Sequence, residues 1–253
     1  CRVGLDYHVE IEKHYYSVPH QLLREKVWAR ITARTIEVFH CGKRVAAHAR
    51  SCESVKQCIR HGIEVIYHAS FADEEALDLL EANKDKHFIA PGLAWLINTS
   101  YHASEWGLTP EVTKKMGYHR ELEIAVETLK KMIKRGIHVL PGGDYGFAWT
   151  PHGTNAKDLE YFMKYLGMSS MEALLSATAW GAPIMKLDGE VGRVKDGALA
   201  DLLLVDGDPL ADIRILQDKK RILAVMKDGE FYRAPAPRDA RSSVPTRWQA
   251  VAA

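Results

Sequence analysis

Residues 63–73 read IEVIYHASFAD, and this stretch decides the fold. A short apolar run rich in β-branched residues ends at His68, and Asp73 then opens a segment whose apolar residues recur at helical spacing. A strand followed closely by a capped helix is the repeating unit of parallel sheets. The stretch therefore predicts one β/α unit, with His68 at the carboxyl end of its strand.

The same order of elements surrounds other short apolar runs. Residues 45–47 lead into His48, residues 87–93 form a further run, and residues 137–140 lead through Pro-Gly-Gly to Asp144. Helix starts and stops predict helices at 51–62, from 73 onward, at 109–136, 155–167 and 169–180. Ser51 and Asp73 are predicted caps, Thr109-Pro110-Glu111 is a helix start, and Ser169 with Glu172 forms a capping box.

Four β/α units in a row predict an α/β fold with a partial TIM-type (β/α) barrel over residues 51–188, because a closed barrel needs eight. Such barrels carry their chemistry at the C-terminal rim of the strands. His48, His68 and Asp144 would all project there, and two imidazoles with a carboxylate suggest a metal-activated water. The alternatives are a core histidine at His68 and a turn residue at Asp144.

The two ends of the chain have a different character. Residues 1–50 alternate in the manner of short antiparallel strands and predict a small all-β module. Strands return within residues 189–233, with turns at 206–209 and 228–229. Residues 234–253, rich in Ala, Pro, Arg and Ser, predict a disordered tail.

Bulk composition excludes some classes of function. A formal net charge of +1 argues against whole-protein attraction to nucleic acid or anionic membrane, although residues 1–51 hold nine Lys/Arg against five Asp/Glu. Four cysteines without a Cys-x-x-Cys pair favour a reducing cytoplasm, and no run is apolar for long enough to cross a bilayer. The first residue is Cys1 rather than Met, which fits processing, trimming or a fragment of a longer protein; the missing half of the site described below favours a fragment.

From about residue 48 to residue 233 the chain resembles the C-terminal half of the metal-dependent amidohydrolases, in the imidazolonepropionase-like and prolidase-like branch. The residues that carry this resemblance are His48-Ala-Arg-Ser, residues 63–76, Pro141-Gly-Gly-Asp144, Thr150-Pro-His-Gly-Thr-Asn155 and residues 200–210. Their order and spacing extend over some 185 residues, which makes the match specific.

The resemblance implies a site and a reaction. His48 and His68 would be metal ligands, Asp144 would be both ligand and catalytic base, and the metal would be divalent, with zinc the first choice. Asp144 would take the proton from the attacking water and pass it to the leaving amine of a small amide or dipeptide-like substrate. His152 and Asn155 would bind substrate, unless their loop only caps a helix. Residues 189–233 would belong to a small β-sandwich.

Two departures limit this expectation. The family's first strand supplies a His-x-His pair and its fourth often supplies a lysine. No His-x-His occurs among the 253 residues, and no segment of four β/α strands precedes His48. A two-metal centre therefore cannot be completed from this chain, and we expect a truncated amidohydrolase, either active or inactive as this chain. An unpaired barrel edge would favour homo-oligomers or aggregation.

Residues 1–51 resemble a different family, the C-terminal β domain of IstA-type insertion-sequence transposases. The resemblance rests on Asp6-Tyr-His-Val-Glu10, on His14-Tyr-Tyr-Ser-Val-Pro19-His and on residues 27–39 and 42–50. It implies an alternative function, a DNA-binding remnant that contacts DNA through Arg30, Arg34, Lys43, Arg44 and Arg50. The two resemblances meet at His48, which fits both patterns. Either a fusion of two genes or an error of sequence assembly would join two such segments.

Overall fold

A computed structural model describes residues 2, 8–11, 14–17, 26–31, 36–40, 43–142 and 144–235 of the chain. Most of the tail predicted at 234–253 lies outside the described residues. Strands form within the first fifty-one residues at the positions where the sequence alternates. They are β1 (His8–Ile11), β2 (His14–Ser17), β3 (Trp28–Ile31), β4 (Ile36–His40) and β5 (Lys43–Ser51).

Strands and helices then alternate, as residues 63–73 predict. The elements in order are α1 (Cys52–Arg60), β6 (Val65–Phe71), α2 (Glu74–Ala82) and β7 (Phe88–Ala90). β5 pairs with β6 and β6 pairs with β7, both in parallel. Residues 137–140 continue this order with a single parallel bridge from Val139 to Ile89. The predicted parallel β/α arrangement is therefore present.

The strand β5 joins the two parts of the chain. On one side it pairs antiparallel with β4, with Val38 opposite Ala46, and on the other side it pairs parallel with β6, with Ala47 opposite Ile66. The resulting five-stranded sheet has the order β3-β4-β5-β6-β7. The front strands thus occupy the pairing position of β5 on the side away from β6.

The helices beyond β7 differ from the prediction in two places. They are α3 (Leu93–Tyr101), α4 (Pro110–Lys115), α5 (Tyr118–Lys134), α6 (Lys157–Tyr161) and α7 (Ser170–Ser176). The sequence does not predict α3, where the apolar run continues past β7 and Gly92, in the left-handed region at φ 65°, begins a helix instead. The helix predicted at 109–136 is divided by Gly117, whose φ is 90°.

The predicted caps are confirmed. Oγ of Ser51 accepts a hydrogen bond from the Ser54 amide at 3.3 Å, and Oδ1 of Asp73 accepts one from the Ala76 amide at 2.9 Å. Ser169 begins α7 with the complete capping box. Each cap satisfies a backbone N–H that would otherwise lack a partner, which is worth about 1 kcal/mol of stability. The starts of these helices are therefore determined by local sequence.

The core lies between the sheet and the helices that follow each strand. The largest fully buried side chains are Phe162, Ile63, Ile66, Leu77, Leu80, Ile89, Leu93, Ile97, Leu129 and Met132. Burying each such side chain contributes about 1.5–3 kcal/mol, so this cluster is the main source of the stability that holds the strand ends in place.

A separate three-stranded antiparallel sheet follows. Its strands β8 (Leu202–Val205), β9 (Ile222–Lys227) and β10 (Glu230–Arg233) lie in the order β10-β9-β8. Asp201 accepts hydrogen bonds from Nζ of Lys227 at 2.5 Å and from the Asp228 amide at 2.8 Å. No helix in the described ranges combines the length and the apolar character that a membrane span requires.

Candidate active site

The site is centred on His68, which lies within β6 rather than after it. Its φ is 73° and that of Ala69 is 55°, so two successive non-glycine residues occupy the left-handed region. Such backbone is unfavourable for residues with a Cβ and is found mostly where the surrounding structure enforces it, often at functional sites. His68 as a whole is only 6% exposed.

The hydrogen bonds of His68 define its neutral form. Nε2 has no hydrogen-bond partner among the described residues, while the ring bonds to the backbone of Pro91. Proline has no amide hydrogen, so the Pro91 carbonyl must accept, and the donor must be Nδ1–H. Nε2 therefore carries no hydrogen, and its lone pair is buried without a hydrogen-bond donor among the described residues. A histidine that donates one ring nitrogen to a carbonyl and leaves the other open has the arrangement of a metal ligand.

Asp144 faces this open nitrogen. Oδ2 of Asp144 lies 3.4 Å from Nε2 of His68. Asp144 also has a positive φ, 50°. Gly92 lies against both side chains, since a Cβ placed there would be 2.9 Å from the His68 ring and 3.5 Å from Oδ2 of Asp144. The sequence hypothesis that His68 and Asp144 come together is thus realised in the structure.

His48 lies beside His68 on the neighbouring strand. The two ring centroids are 4.4 Å apart, with the rings edge to face. Burial and, after it, the neighbouring His68 lower the pKa of His48 to about 4, while Asp144 opposes the shift. Burial is also the main cause that lowers the pKa of His68 to about 4. Both imidazoles are therefore neutral at pH 7, which is the form that binds metals.

The three side chains are close to one another without forming a complete ligand set. In the part of the chain that the structure describes, no group of three or more His, Cys, Asp or Glu side chains is arranged to hold a metal ion. The unsatisfied Nε2 of His68 and the facing carboxylate still fit a cation, because two acceptors repel unless a proton or a metal lies between them. His48 stays a predicted ligand.

An ion pair that the sequence did not predict borders the site. Arg50 donates to both carboxylate oxygens of Glu121, with Nε to Oε1 at 2.8 Å. Arg50 follows His48 by two residues and so lies on the same face of β5. Its charge contributes to the lowered pKa of His68, and Glu121 opposes that effect. The partners are 71 residues apart, so no local pattern could have paired them.

The predicted substrate residues lie in the loop after Asp144. The ring of His152 packs on Gly146, where an added Cβ would be 3.0 Å from Nε2 of His152. Oδ1 of Asn155 accepts from the Gly153 amide at 3.2 Å. The capping alternative is not realised, because Ala156 precedes α6 and makes no side-chain cap. Both predicted side chains are exposed.

Helix α3 anchors this loop. Nδ2 of Asn98 donates to the Trp149 carbonyl at 3.0 Å, and Nε1 of Trp149 donates to Oγ1 of Thr99 at 2.9 Å. The Tyr161 hydroxyl bonds Oδ1 of Asn98 at 2.9 Å, so α6 is connected to the same point. The unpredicted helix α3 therefore fixes the loop that carries His152.

Comparison with known proteins finds a different similarity in each of the two parts of the chain. The family model described as Mu transposase, C-terminal domain, matches residues 1–60. The protein named as the transposase for insertion sequence IS408 of Burkholderia multivorans is 67% identical over 51 residues, which cover 20% of this chain and 10% of that protein. His48 lies within the matched segment.

The larger part of the chain is similar to amidohydrolases. Ochratoxinase of Aspergillus niger is 26% identical over 193 residues, 76% of this chain and 38% of that enzyme. The crystal structure of a Xaa-Pro dipeptidase with methionine in its active site superposes with a TM-score of 0.63 at 30% identity, covering 75% of this chain and 45% of that one. The chain thus spans less than half of each relative. A segment similar to transposase C-terminal domains is followed by an amidohydrolase-like region.

Proposed function

We propose that the amidohydrolase-like region is a metal-dependent hydrolase of carbon–nitrogen bonds in cyclic amides or small dipeptide-like substrates. The observation that carries this proposal is the unsatisfied Nε2 of buried His68, which faces Oδ2 of Asp144 at 3.4 Å. Similarity to hydrolases extends over about three quarters of the chain, whereas the transposase similarity covers a fifth. We therefore propose hydrolysis by the larger region, rather than DNA binding by the front segment, as the main activity.

Residues 51–188 would be the second half of a (β/α) barrel and residues 189–233 a portion of the accompanying β-sandwich, with the transposase-like module at 1–50. The parallel pairing of β5, β6 and β7, followed by the bridge at Val139, supports the barrel assignment. In this arrangement His48, His68 and Asp144 all belong to one rim of the sheet.

His68 and Asp144 would hold a divalent ion, zinc as first choice, with His48 as a third ligand. A metal ion bound there supplies a Lewis acid for the scissile carbonyl and lowers the pKa of water. Asp144 is the base that accepts a proton from the attacking water and then donates it to the leaving nitrogen. The Pro91 carbonyl holds the His68 ring in the tautomer that keeps Nε2 open.

His152 and Asn155 would contact substrate from the loop that α3 anchors. The relative named as a Xaa-Pro dipeptidase supports a dipeptide-like substrate, with an amide bond between two amino-acid parts. Because the chain contains no His-x-His, we propose a single-metal site and an activity well below that of a complete two-metal enzyme, or none. A cytoplasmic location stays a prediction.

The experiment measures zinc binding and hydrolysis on the full chain. We expect calorimetry to show one zinc ion per chain, lost in His68→Ala and kept in His61→Ala, an exposed histidine at the end of α1. Hydrolysis of an Xaa-Pro dipeptide would be followed in the same samples, with Asp144→Asn as the variant that lacks the base. Absence of zinc binding in the unaltered protein, or equal binding by both histidine variants, would overturn the proposal.

A further inference from the structure

Asp158 is a buried carboxylic acid that the proposed reaction does not use. It lies in α6, is 1% exposed, and its Oδ2 accepts a hydrogen bond from the Gly142 amide at 3.2 Å. The backbone of Ala94 also bonds the carboxyl group. Oδ1 has no partner among the described residues. A carboxyl group in such surroundings costs free energy, so its contacts call for an explanation.

The first contact leads to the ligand pair. Gly142 precedes Asp144 by two residues, and its carbonyl accepts a hydrogen bond from the Gly92 amide at 2.6 Å. Gly92 in turn lies against the His68 ring and near Oδ2 of Asp144. Asp158 thus bonds to the middle of a chain of contacts that runs from Asp144 through Gly142 and Gly92 to His68.

The second contact holds the start of α3. Its N-cap, Gly92, has no side chain with which to cap the helix. The first amides of a helix lack partners within it, and a carboxylate close to them is favourable. Asp158 supplies that acceptor from a distant part of the chain at Ala94. The bond at Ala94 therefore also fixes the backbone just before it, at Pro91 and Gly92, and this backbone touches His68.

We propose that Asp158 is a positioning residue, which holds Gly142 and the start of α3 so that Nε2 of His68 and the Asp144 carboxylate face each other. The inference rests on the proposed function and deepens it. Its effect on His68 passes through the backbone of residues 91–94 and of Gly142, beside the electrostatic interaction between the Asp158 and Asp144 carboxyl groups.

A purely structural role would give a different result from a positioning role. Burial is the main cause that raises the pKa of Asp158 to about 7, and the bonds from Ala94 and Gly142 act against it. If only burial mattered, replacing the carboxyl group by an apolar or neutral side chain would leave His68 unchanged and would relieve the cost. If the two bonds matter, a side chain that keeps an acceptor oxygen must preserve the geometry at His68.

The test compares Asp158→Asn, which keeps one acceptor oxygen, with Asp158→Ala, which keeps none. Asp212→Ala is the matched control, because Asp212 also accepts a backbone amide, that of Arg214, in a turn of another part of the chain. In metal-free full-length protein the readouts are the ring nitrogen shifts of His68 and the amide exchange rate of Gly92. Zinc affinity is measured in parallel.

We expect Asp158→Ala to move the His68 nitrogen shifts toward a mixture of tautomers, to speed Gly92 exchange, and to weaken zinc binding about 10–100-fold. Asp158→Asn should stay within about threefold of the unaltered protein, and Asp212→Ala should change neither readout. Should Asp158→Ala fail to fold, Asp158→Asn together with Asp158→Ser supplies the comparison.

The outcomes separate this inference from the proposed function. If the unaltered protein binds no zinc but the His68 shifts still respond to Asp158→Ala, the hydrolase proposal fails and the positioning role stands. Unchanged His68 shifts and Gly92 exchange in a folded Asp158→Ala protein would overturn the positioning role, whether or not zinc binds.

Discussion

Nε2 of His68 lies 3.4 Å from Oδ2 of Asp144, and these two acceptors face each other with His68 buried and Asp144 half-buried. The Pro91 carbonyl keeps the proton of the neutral ring on the other nitrogen. Both residues also have positive φ. The protein therefore maintains an electrostatically unfavourable contact with unfavourable backbone, which is the arrangement expected where a cation completes the site.

The burial of His68 makes stability depend on pH in the metal-free protein. Its pKa is lowered to about 4 in the folded chain from 6.5 when unfolded, so the unfolded state binds more protons between these values. Stability is complete above pH 6.5 and is lost as pH falls toward 4. We expect His68 to account for a loss of about 2 kcal/mol between pH 7 and pH 5.

Urea unfolding of the unaltered chain and of His68→Gln at both pH values measures this contribution. The difference in free energy of unfolding between the two proteins should change by that amount. Asp158 acts in the opposite direction, because its raised pKa removes stability as pH rises from about 4 to about 7, but it is present in both proteins and cancels. A difference that does not vary with pH would contradict the assignment.

Gly92 should be intolerant of any side chain because His68 and Asp144 lie against it. Gly92→Ala places a Cβ 2.9 Å from the His68 ring, at a φ of 65°. Gly62→Ala is a matched control, since its φ is 67° and nothing lies within 4 Å of the Cβ that alanine would add there. Both variants should lose about 1–2 kcal/mol through the left-handed backbone.

Only Gly92→Ala should also disturb the site. We expect its loss of stability to exceed that of Gly62→Ala and its zinc affinity to fall at least tenfold, because the His68 ring must move. Thermal unfolding and calorimetry measure the two effects. Equal zinc affinity in the two variants would show that the close approach of Gly92 to His68 has no role in the site.

The sequence predicts that His68 and Asp144 come together because each follows an apolar run, and β/α order alone brings strand ends to one rim. It does not predict α3, because a short apolar run such as residues 88–97 fits a strand and a buried helix equally well. The role of Asp158 and the pairing of Arg50 with Glu121 depend on contacts between distant segments, for which a single sequence holds no local signal.

The pair of Arg50 and Glu121 should stabilise the rim beside His48. The side chain of Glu121 is 11% exposed and that of Arg50 is 32% exposed, and two hydrogen bonds join them. A double-mutant cycle with Arg50→Met and Glu121→Gln should give a coupling of about 1–2 kcal/mol in the free energy of unfolding. The exposed pair of Arg120 and Glu123 is the control and should show no resolvable coupling. A coupling at Arg50 as small as at the control would contradict this role.

The front strands should protect β5 from pairing with another chain. β4 occupies the position next to β5, with Glu37 opposite Ala47 and Val38 opposite Ala46. An uncovered parallel edge is a template for association. We expect the double variant Glu37→Pro/Val38→Pro, which removes two amides from β4, to form oligomers whose fraction rises with concentration in light scattering after size exclusion.

The matched control is Val9→Pro/Glu10→Pro in β1, a strand that pairs only with β2 among the described residues. It makes the same chemical change in a hairpin separate from the five-stranded sheet, and it should leave the molecular mass unchanged. Circular dichroism checks that the helices of both variants persist. If the β4 variant keeps its helices and the mass of the unaltered chain at every concentration, the front strands are not needed to cover β5.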